Sequence, residues 1–168
     1  GHFPARFMLI ASMNPCPCGN LGLSAQAGQE TDACLCLPIN VARYKKKISG
    51  PLLDRIDIQV HVSRGTFANL KDTKASESSA ELRKKVEKAR EIQRERLKNY
   101  NVLTNSEIGF KNIQKICNLA PEAELILGRF VEKHGISGRG YHRMLKISRT
   151  IADLEDSHTI TANHIKEA

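Results

Sequence analysis

The sequence predicts an α/β protein in two parts, with residues 1–62 as the end of a sheet-containing domain and residues 77–168 as an all-helical domain. Two short runs, residues 7–12 and 57–62, have the composition of β-strands. After the polar stretch 63–76, which is typical of a linker, apolar residues recur at helical spacing. Because two strands do not form a stable sheet alone, we expect the first part to belong to a larger domain.

The elements of the first part follow from local composition. Residues 7–12 are continuously apolar, which favours a strand buried on both faces, as in a parallel sheet. Residues 15–37 contain four Cys, three Gly and two Pro without periodicity, which predicts an irregular loop. Residues 38–46 are typical of a short helix that starts with proline. Apolar residues alternate through residues 57–62, and this alternation predicts a second strand.

The second part is predicted to be helical throughout. Its first helix is long and charged, with Ser76 or Ser78 as the N-cap, and its last helix starts after Thr161 as a candidate N-cap. Residues 135–140 are glycine-rich and predict a turn. We expect helices at residues 77–98, 110–119, 121–134, 141–154 and 161–168.

The charge of the chain favours polyanionic partners. Lysine and arginine number 26 against 18 acidic residues, a net charge of +8, which suits nucleic acid or nucleotide phosphates. Many basic proteins are basic only for solubility, so both interpretations stay open. Apolar runs fall well short of the roughly 18 residues that span a bilayer, and no secretory signal pattern occurs. We therefore expect a cytoplasmic protein without membrane contact.

Four cysteines form two Cys-x-Cys pairs, Cys16 with Cys18 and Cys34 with Cys36. Four thiolates complete the tetrahedral shell of a structural Zn²⁺ ion, and metal binding would supply folding energy that this polar loop lacks. The alternatives are four cysteines without metal or a labile disulfide, and a reducing compartment disfavours the disulfide. Cys117 lies in a helical apolar pattern and is predicted to be part of the core.

Three polar residues each have a phosphate-contacting interpretation and a plainer one. Asn14 follows the predicted buried strand, where ligand contacts gather, or it only begins a turn. Arg55 stands in an apolar turn between Asp54 and Asp57, as a surface ion pair or as an arginine presented to another subunit's phosphates. Arg139 lies near a helix N-terminus, which attracts anions, or it is a solvated loop residue. The pattern alone does not choose.

The basic residues after this point have a plainer interpretation as well. They can form the solvated face of an amphipathic helix. These residues are His142, Arg143, Lys146 and Arg149.

Four stretches, in order along the chain, resemble one family. They are Phe-Pro-Ala-Arg-Phe (3–7) with Met-Asn-Pro-Cys-Pro-Cys-Gly (13–19), Ile-Ser-Gly-Pro-Leu-Leu-Asp-Arg-Ile-Asp (48–57), Glu-Ser-Ser-Ala-Glu-Leu-Arg (77–83) with Lys-Ala-Arg-Glu-Ile-Gln (88–93), and Gly-Tyr-His-Arg-Met-Leu-Lys-Ile-Ser-Arg-Thr-Ile-Ala-Asp-Leu (140–154). Together they are similar to the magnesium-chelatase-like AAA+ ATPases of bacteria, the ComM/YifB type. The resemblance covers nearly the whole chain.

The resemblance implies a fold and a role for each candidate residue. Residues 1–62 would be the C-terminal part of a P-loop AAA+ α/β domain with a Cys-rich insertion at 15–37, followed by the linker 63–76 and an α-helical lid at 77–168. The resemblance also implies roles for single residues. They are Asn14 as sensor 1, Arg55 as the arginine finger, and Arg139 as the nucleotide-binding sensor 2, with Arg143 as the second choice.

The resemblance also implies partners for the intact protein. These are ATP and Mg²⁺, further subunits in a hexameric ring, and DNA during recombination or natural transformation. No Gly-x-x-x-x-Gly-Lys-[Ser/Thr] loop occurs in the chain, so we expect the chain by itself not to hydrolyse ATP. An alternative of another class is a zinc-stabilised basic module that binds nucleic acid without nucleotide chemistry.

Overall fold

The computed structural model divides the chain into two compact units, Gly1–Ile56 and Asp57–Ala168. The predicted linker at 63–76 and residues 22–32 of the predicted insertion lie outside the described residues. The described residues are 7–21, 33–62 and 77–168.

The described residues of the first unit form two short helices, α1 (Pro38–Lys45) and α2 (Gly50–Leu53). Proline opens α1, as predicted, because its missing N–H needs no partner in the first turn. Ser49 caps α2 by accepting a hydrogen bond from the Leu52 N–H at 3.3 Å. Among the described residues of this unit, Cys16 alone is buried. The described part of the unit therefore has no apolar core of its own.

The α/β class is not confirmed, because neither predicted strand forms. Residues 7–12 and 57–62 carry no ladder in the structure, and their apolar side chains stay exposed. Phe7 is 74% exposed, Ile10 85% and Val62 85%. A strand needs a neighbour to satisfy its backbone and cover its side chains, and the described residues supply none.

Residues 77–168 of the second unit are mainly helical, as predicted. Ser78 is the N-cap of its first helix, and Glu81 completes a capping box by accepting the Ser78 N–H at 2.8 Å. The predicted turn at 135–140 is wrong over its second half, because the Ser137 hydroxyl accepts the Gly140 N–H at 3.1 Å and starts the helix early. The helices among the described residues of this unit are α3 (Ser79–Leu97), α4 (Phe110–Ile116), α5 (Pro121–His134), α6 (Gly138–Leu154) and α7 (Ala162–Glu167), with 3₁₀ turns at Lys98–Tyr100 and Asn105–Glu107.

Helix α6 lies at the centre of the second unit and packs against α3, α4 and α7, while α5 packs against α7. An isolated parallel bridge joins Leu119 to Ile160 and fixes the entry into α7. Cys117 is buried in the core, as predicted. The core is formed by Leu97, Ile108, Ile113, Ile116, Cys117, Ala123, Leu127, Leu145, Ala152, Ile160 and Ile165.

A buried ionic cluster fastens α6 to its neighbours. Arg96 of α3 donates two hydrogen bonds of 2.6 Å to the Asp153 carboxylate, and Asn105 donates a third of 2.8 Å. Arg149 donates to the same carboxylate at 3.1 Å and to the carbonyl of His158 at 2.8 Å. Arg149 is fully buried, so the alternative interpretation that places it on a solvated face is wrong.

Among the described residues, no helix combines the length and apolar composition that crossing a membrane requires.

Candidate metal centre and arginine sites

The four paired cysteines come together in the first unit. A tight turn, closed by a 3.0 Å hydrogen bond from the Gly19 N–H to the Cys16 carbonyl, carries Cys16 and Cys18. The Sγ of Cys16 lies 3.3 Å from that of Cys18 and 3.7 Å from that of Cys34, and Cys18 and Cys34 are also 3.7 Å apart. With Cys36 included, all four sulfurs lie within 4.8 Å of one another, and none forms a disulfide.

This arrangement fits a zinc site. Zinc–thiolate bonds of about 2.3 Å in a tetrahedron place the sulfurs about 3.8 Å apart, close to the distances within the cluster. Four thiol ligands leave no open coordination position, so the set suits a structural ion and not a catalytic one. The cluster also occupies the one buried position among the described residues of its unit. A metal there would replace the missing apolar core.

The thiols of the cluster affect one another's ionisation. Burial raises the pKa of Cys16, but hydrogen bonds with Cys18, the Leu21 backbone and Cys34 outweigh it and lower the pKa to about 6. The hydrogen bond with the Cys36 backbone lowers the pKa of Cys34, yet burial and the neighbouring sulfurs raise it to about 12. Adjacent thiolates repel one another, and a bound cation removes that repulsion.

Two candidate phosphate-contacting residues lie in the first unit and are exposed. Asn14 precedes the cysteine turn, and its side-chain amide lies against Gly19 of that turn. Arg55 follows α2 and folds back on its own turn, where Nη1 donates to the Pro51 carbonyl at 2.8 Å. Exposure leaves both side chains accessible to a ligand or another chain.

Two further candidates lie on α6 in the second unit. Arg139 is exposed in the first turn of α6, directly after the Ser137 cap. Arg143 lies one turn later and is half-buried, lining a groove of about 500 Å³ between α5, α6 and α7. Arg139 thus stands where the helix dipole and free backbone N–H groups favour an anion.

The groove beside Arg143 is mainly apolar, with Ile126, Phe130, Met144 and Ile165 on its walls. Gly140 also lines it, and a Cβ there would lie 2.7 Å from the Ile136 Cγ2. The absence of a side chain at this position allows the start of α6 to approach Ile136.

Both parts of the chain match known protein families. Residues 1–70 match the family described as magnesium chelatase, subunit ChlI, and residues 76–168 match magnesium chelatase, subunit ChlI C-terminal. The chain belongs to the magnesium chelatase ChlI family. The resemblance found in the sequence motifs is thereby confirmed across both parts of the chain.

Individual relatives support the assignment of this chain to the ChlI family. It is 40% identical over 169 residues to the competence protein ComM of Haemophilus influenzae. The aligned region covers 99% of this chain and 30% of ComM. It is 35% identical over 167 residues to YifB of Escherichia coli and to YifB of Salmonella typhimurium, covering 99% of this chain and 31% of each. The chain therefore spans less than a third of the length of these relatives.

Sequence reasoning missed two groups of residues in this ChlI-family chain. Gly19 closes the cysteine turn and faces the Asn14 amide, and its only sequence signal is its place directly after Cys18. The cluster around Asp153 joins residues up to 57 positions apart, so no local pattern reveals it. An arginine at every helical turn is typical of a solvated face, and burial depends on partners from other helices.

Proposed function

We propose that this chain carries three nucleotide-contacting residues of an AAA+ ATPase: Asn14 as sensor 1, Arg55 as the arginine finger and Arg139 as sensor 2. Membership of the ChlI family over both parts of the chain carries the proposal. The exposed position of Arg139 in the first turn of α6 supports it, because that end of a helix favours phosphate. Arg143, one turn later, is the second choice for sensor 2.

In this proposal the two parts have the domain roles of an AAA+ module. Residues 1–62 form the end of a P-loop α/β domain, and residues 77–168 form its helical lid. The exposed apolar side chains of residues 7–12 and 57–62 support this, because strands of a longer protein would cover them. The matched relatives are more than three times as long as this chain, which leaves room for those strands.

The proposed chemistry is ATP hydrolysis with Mg²⁺ in the intact protein. The Asn14 amide orients the attacking water or the γ-phosphate, and Arg55 contacts the nucleotide of the neighbouring subunit. Arg139 contacts the nucleotide bound in its own subunit, through charge-assisted hydrogen bonds that stabilise the closed lid. Hydrolysis removes the γ-phosphate and weakens both arginine contacts, so the lid moves and transmits work to the substrate.

We further propose that the intact protein forms a hexameric ring and remodels DNA during recombination or natural transformation. The net charge of +8 suits a polyanionic substrate. The name of the relative from Haemophilus influenzae, a competence protein, supports the proposal.

The test is made in the full-length protein by steady-state ATPase measurement. Arg55→Ala lowers kcat on the order of 10³-fold while ATP binding stays intact, since a finger acts on the transition-state charge. Arg139→Ala lowers both ATP affinity and kcat. The matched controls are Arg43→Ala on α1 and Arg129→Ala on α5, both exposed arginines outside the proposed site. Unchanged ATPase activity in Arg55→Ala would reject the arginine-finger assignment.

A second candidate function follows from the cysteine cluster together with the net positive charge. In it the chain is a zinc-stabilised module that binds nucleic acid without nucleotide chemistry. This function requires tight DNA binding by the chain alone, with an affinity that falls linearly on a log–log plot against salt. Absence of DNA binding at low salt would reject this second function. DNA binding by the chain alone, together with a full-length protein whose activity does not require ATP, would favour it over the ATPase.

A further inference from the structure

The Asn14 amide lies beside the turn that carries two of the four cluster cysteines, Cys16 and Cys18. A Cβ built on Gly19 would lie 3.7 Å from Asn14 Nδ2 and 3.8 Å from its Cγ, so the amide faces the side of the glycine where a side chain would stand. Asn14 is otherwise exposed, and α1 and α2 are the only helices among the described residues of its unit. The turn is thus a neighbouring surface that can restrict where this amide points.

The geometry of the turn depends on two features. Gly19 has a φ of +82°, a conformation that side chains other than glycine seldom adopt. Its N–H closes the turn on the Cys16 carbonyl at 3.0 Å, and Cys16 is fully buried among the sulfurs. One backbone hydrogen bond cannot hold a turn in water, so the order of the turn depends on what holds Cys16 and Cys18 in place.

We propose that the Cys16–Gly19 turn, held by a metal ion at the four cysteines, positions the Asn14 amide. This deepens the proposed function and rests on it, because Asn14 acts on the nucleotide only if it is sensor 1. The cysteines and Gly19 are positioning residues: none contacts the nucleotide. Metal occupancy then controls kcat, and not only the stability of the fold.

The first measurement is independent of ATPase activity and uses the 168-residue chain. The side-chain amide resonances of Asn14 are assigned by their loss in Asn14→Asp and followed by NMR during removal and return of Zn²⁺. We expect the Asn14 pair to move to random-coil positions on chelation and to return with zinc. The exposed Asn118, in the second unit, serves as the internal reference and stays unchanged. An Asn14 signal indifferent to metal would overturn the proposal.

The second measurement separates positioning from nucleotide binding in the full-length protein. Gly19→Ala keeps all four thiols but strains the turn and adds a methyl group against the amide. We expect about one zinc per chain, an unchanged KM for ATP and a kcat lowered about tenfold or more, since small misplacements of a reacting group have such effects. Gly50→Ala is the control, because its Cβ meets nothing within 4 Å.

The two proposals fail in different ways. If Asn14→Ala leaves kcat unchanged while the NMR response to zinc is present, the sensor 1 role is wrong and the metal-dependent positioning stands. If Asn14→Ala lowers kcat but Gly19→Ala and metal removal do not, the sensor role stands and the positioning is wrong. The double variant Asn14→Ala, Gly19→Ala is expected to match Asn14→Ala alone, because both act through one amide.

Discussion

Asp153 accepts hydrogen bonds from Arg96, Arg149 and Asn105 while its own carboxylate is buried. Each partner comes from a different local segment or helical turn, so this one side chain joins α3, the 3₁₀ turn at Asn105–Glu107 and α6. Burial lowers the pKa of Arg149 by disfavouring its charged form, and the neighbouring Asp153 charge opposes that effect. Each buried charge of this ionic cluster is stabilised by an opposite charge beside it, and loss of one leaves the other unpaired.

Removal of the shared carboxylate tests this. Asp153→Asn leaves two arginines without a counter-ion, and we expect the free energy of unfolding to fall by about 3–5 kcal/mol. The control is Asp156→Asn, because Asp156 forms an exposed pair with Lys88 and has a φ of +59° that asparagine tolerates. That change should cost less than about 1 kcal/mol. Urea unfolding followed by circular dichroism measures both, and equal losses would contradict the buried-cluster account.

Cys117 gives the second unit a pH dependence in the alkaline range. Burial raises the pKa of its thiol from 9.0 to about 11. A raised pKa contributes stability that is complete below pH 9.0 and is lost as pH rises through about 11, because the unfolded thiol then ionises first. Cys117→Ala should therefore lose about 2–3 kcal/mol less than the wild type over this range. Parallel stability curves from pH 8 to pH 11 would refute the assignment.

At the scale of elements, helix ends are set by capping residues and by glycine. Ser78, Ser49 and Ser137 cap three helices through their hydroxyl groups. Gly135 ends α5 with a φ of +59°. Gly128 lies in the middle of the same helix and is exposed, and a Cβ there would meet nothing within 4 Å. One residue type thus has opposite effects at two positions of one helix.

The pair Gly135→Ala and Gly128→Ala measures this contrast. We expect Gly135→Ala to destabilise the second unit by about 1 kcal/mol, because alanine resists the left-handed conformation. Gly128→Ala should stabilise it by about 0.5–1 kcal/mol, because alanine has the higher helix propensity and the position is open. Thermal unfolding of both variants checks the signs, and a destabilised Gly128→Ala would show that α5 is not helical at this position.

Across the whole molecule, the two units differ in what their described residues bury. The second unit has an apolar core, whereas the described part of the first unit buries only Cys16. Chelation of metal should therefore remove hydrogen-exchange protection from residues 7–21 and 33–56 while α3 and α6 keep theirs. Elemental analysis should give about one zinc per chain.

Two cysteine substitutions provide the matched control for that experiment. Cys36→Ser removes one ligand and should abolish stoichiometric zinc, whereas Cys117→Ala, outside the cluster, should leave the zinc content unchanged. Stoichiometric zinc in Cys36→Ser, or chelator-insensitive exchange in the first unit, would show that the cluster does not hold the metal.

Features that depend on neighbouring residues along the chain could be predicted from the sequence. Apolar spacing predicted the helices of the second unit, with α5 at its observed bounds, Pro121–His134. The Cys-x-Cys pairs predicted the four-sulfur cluster, and four motifs in order predicted the ChlI-family relationship. Tertiary structure alone decided that Arg149 is buried, because its partners come from other parts of the chain. It also decided that residues 7–12 stay exposed and that the Asn14 amide faces Gly19, because pairing and packing depend on neighbours that spacing does not specify.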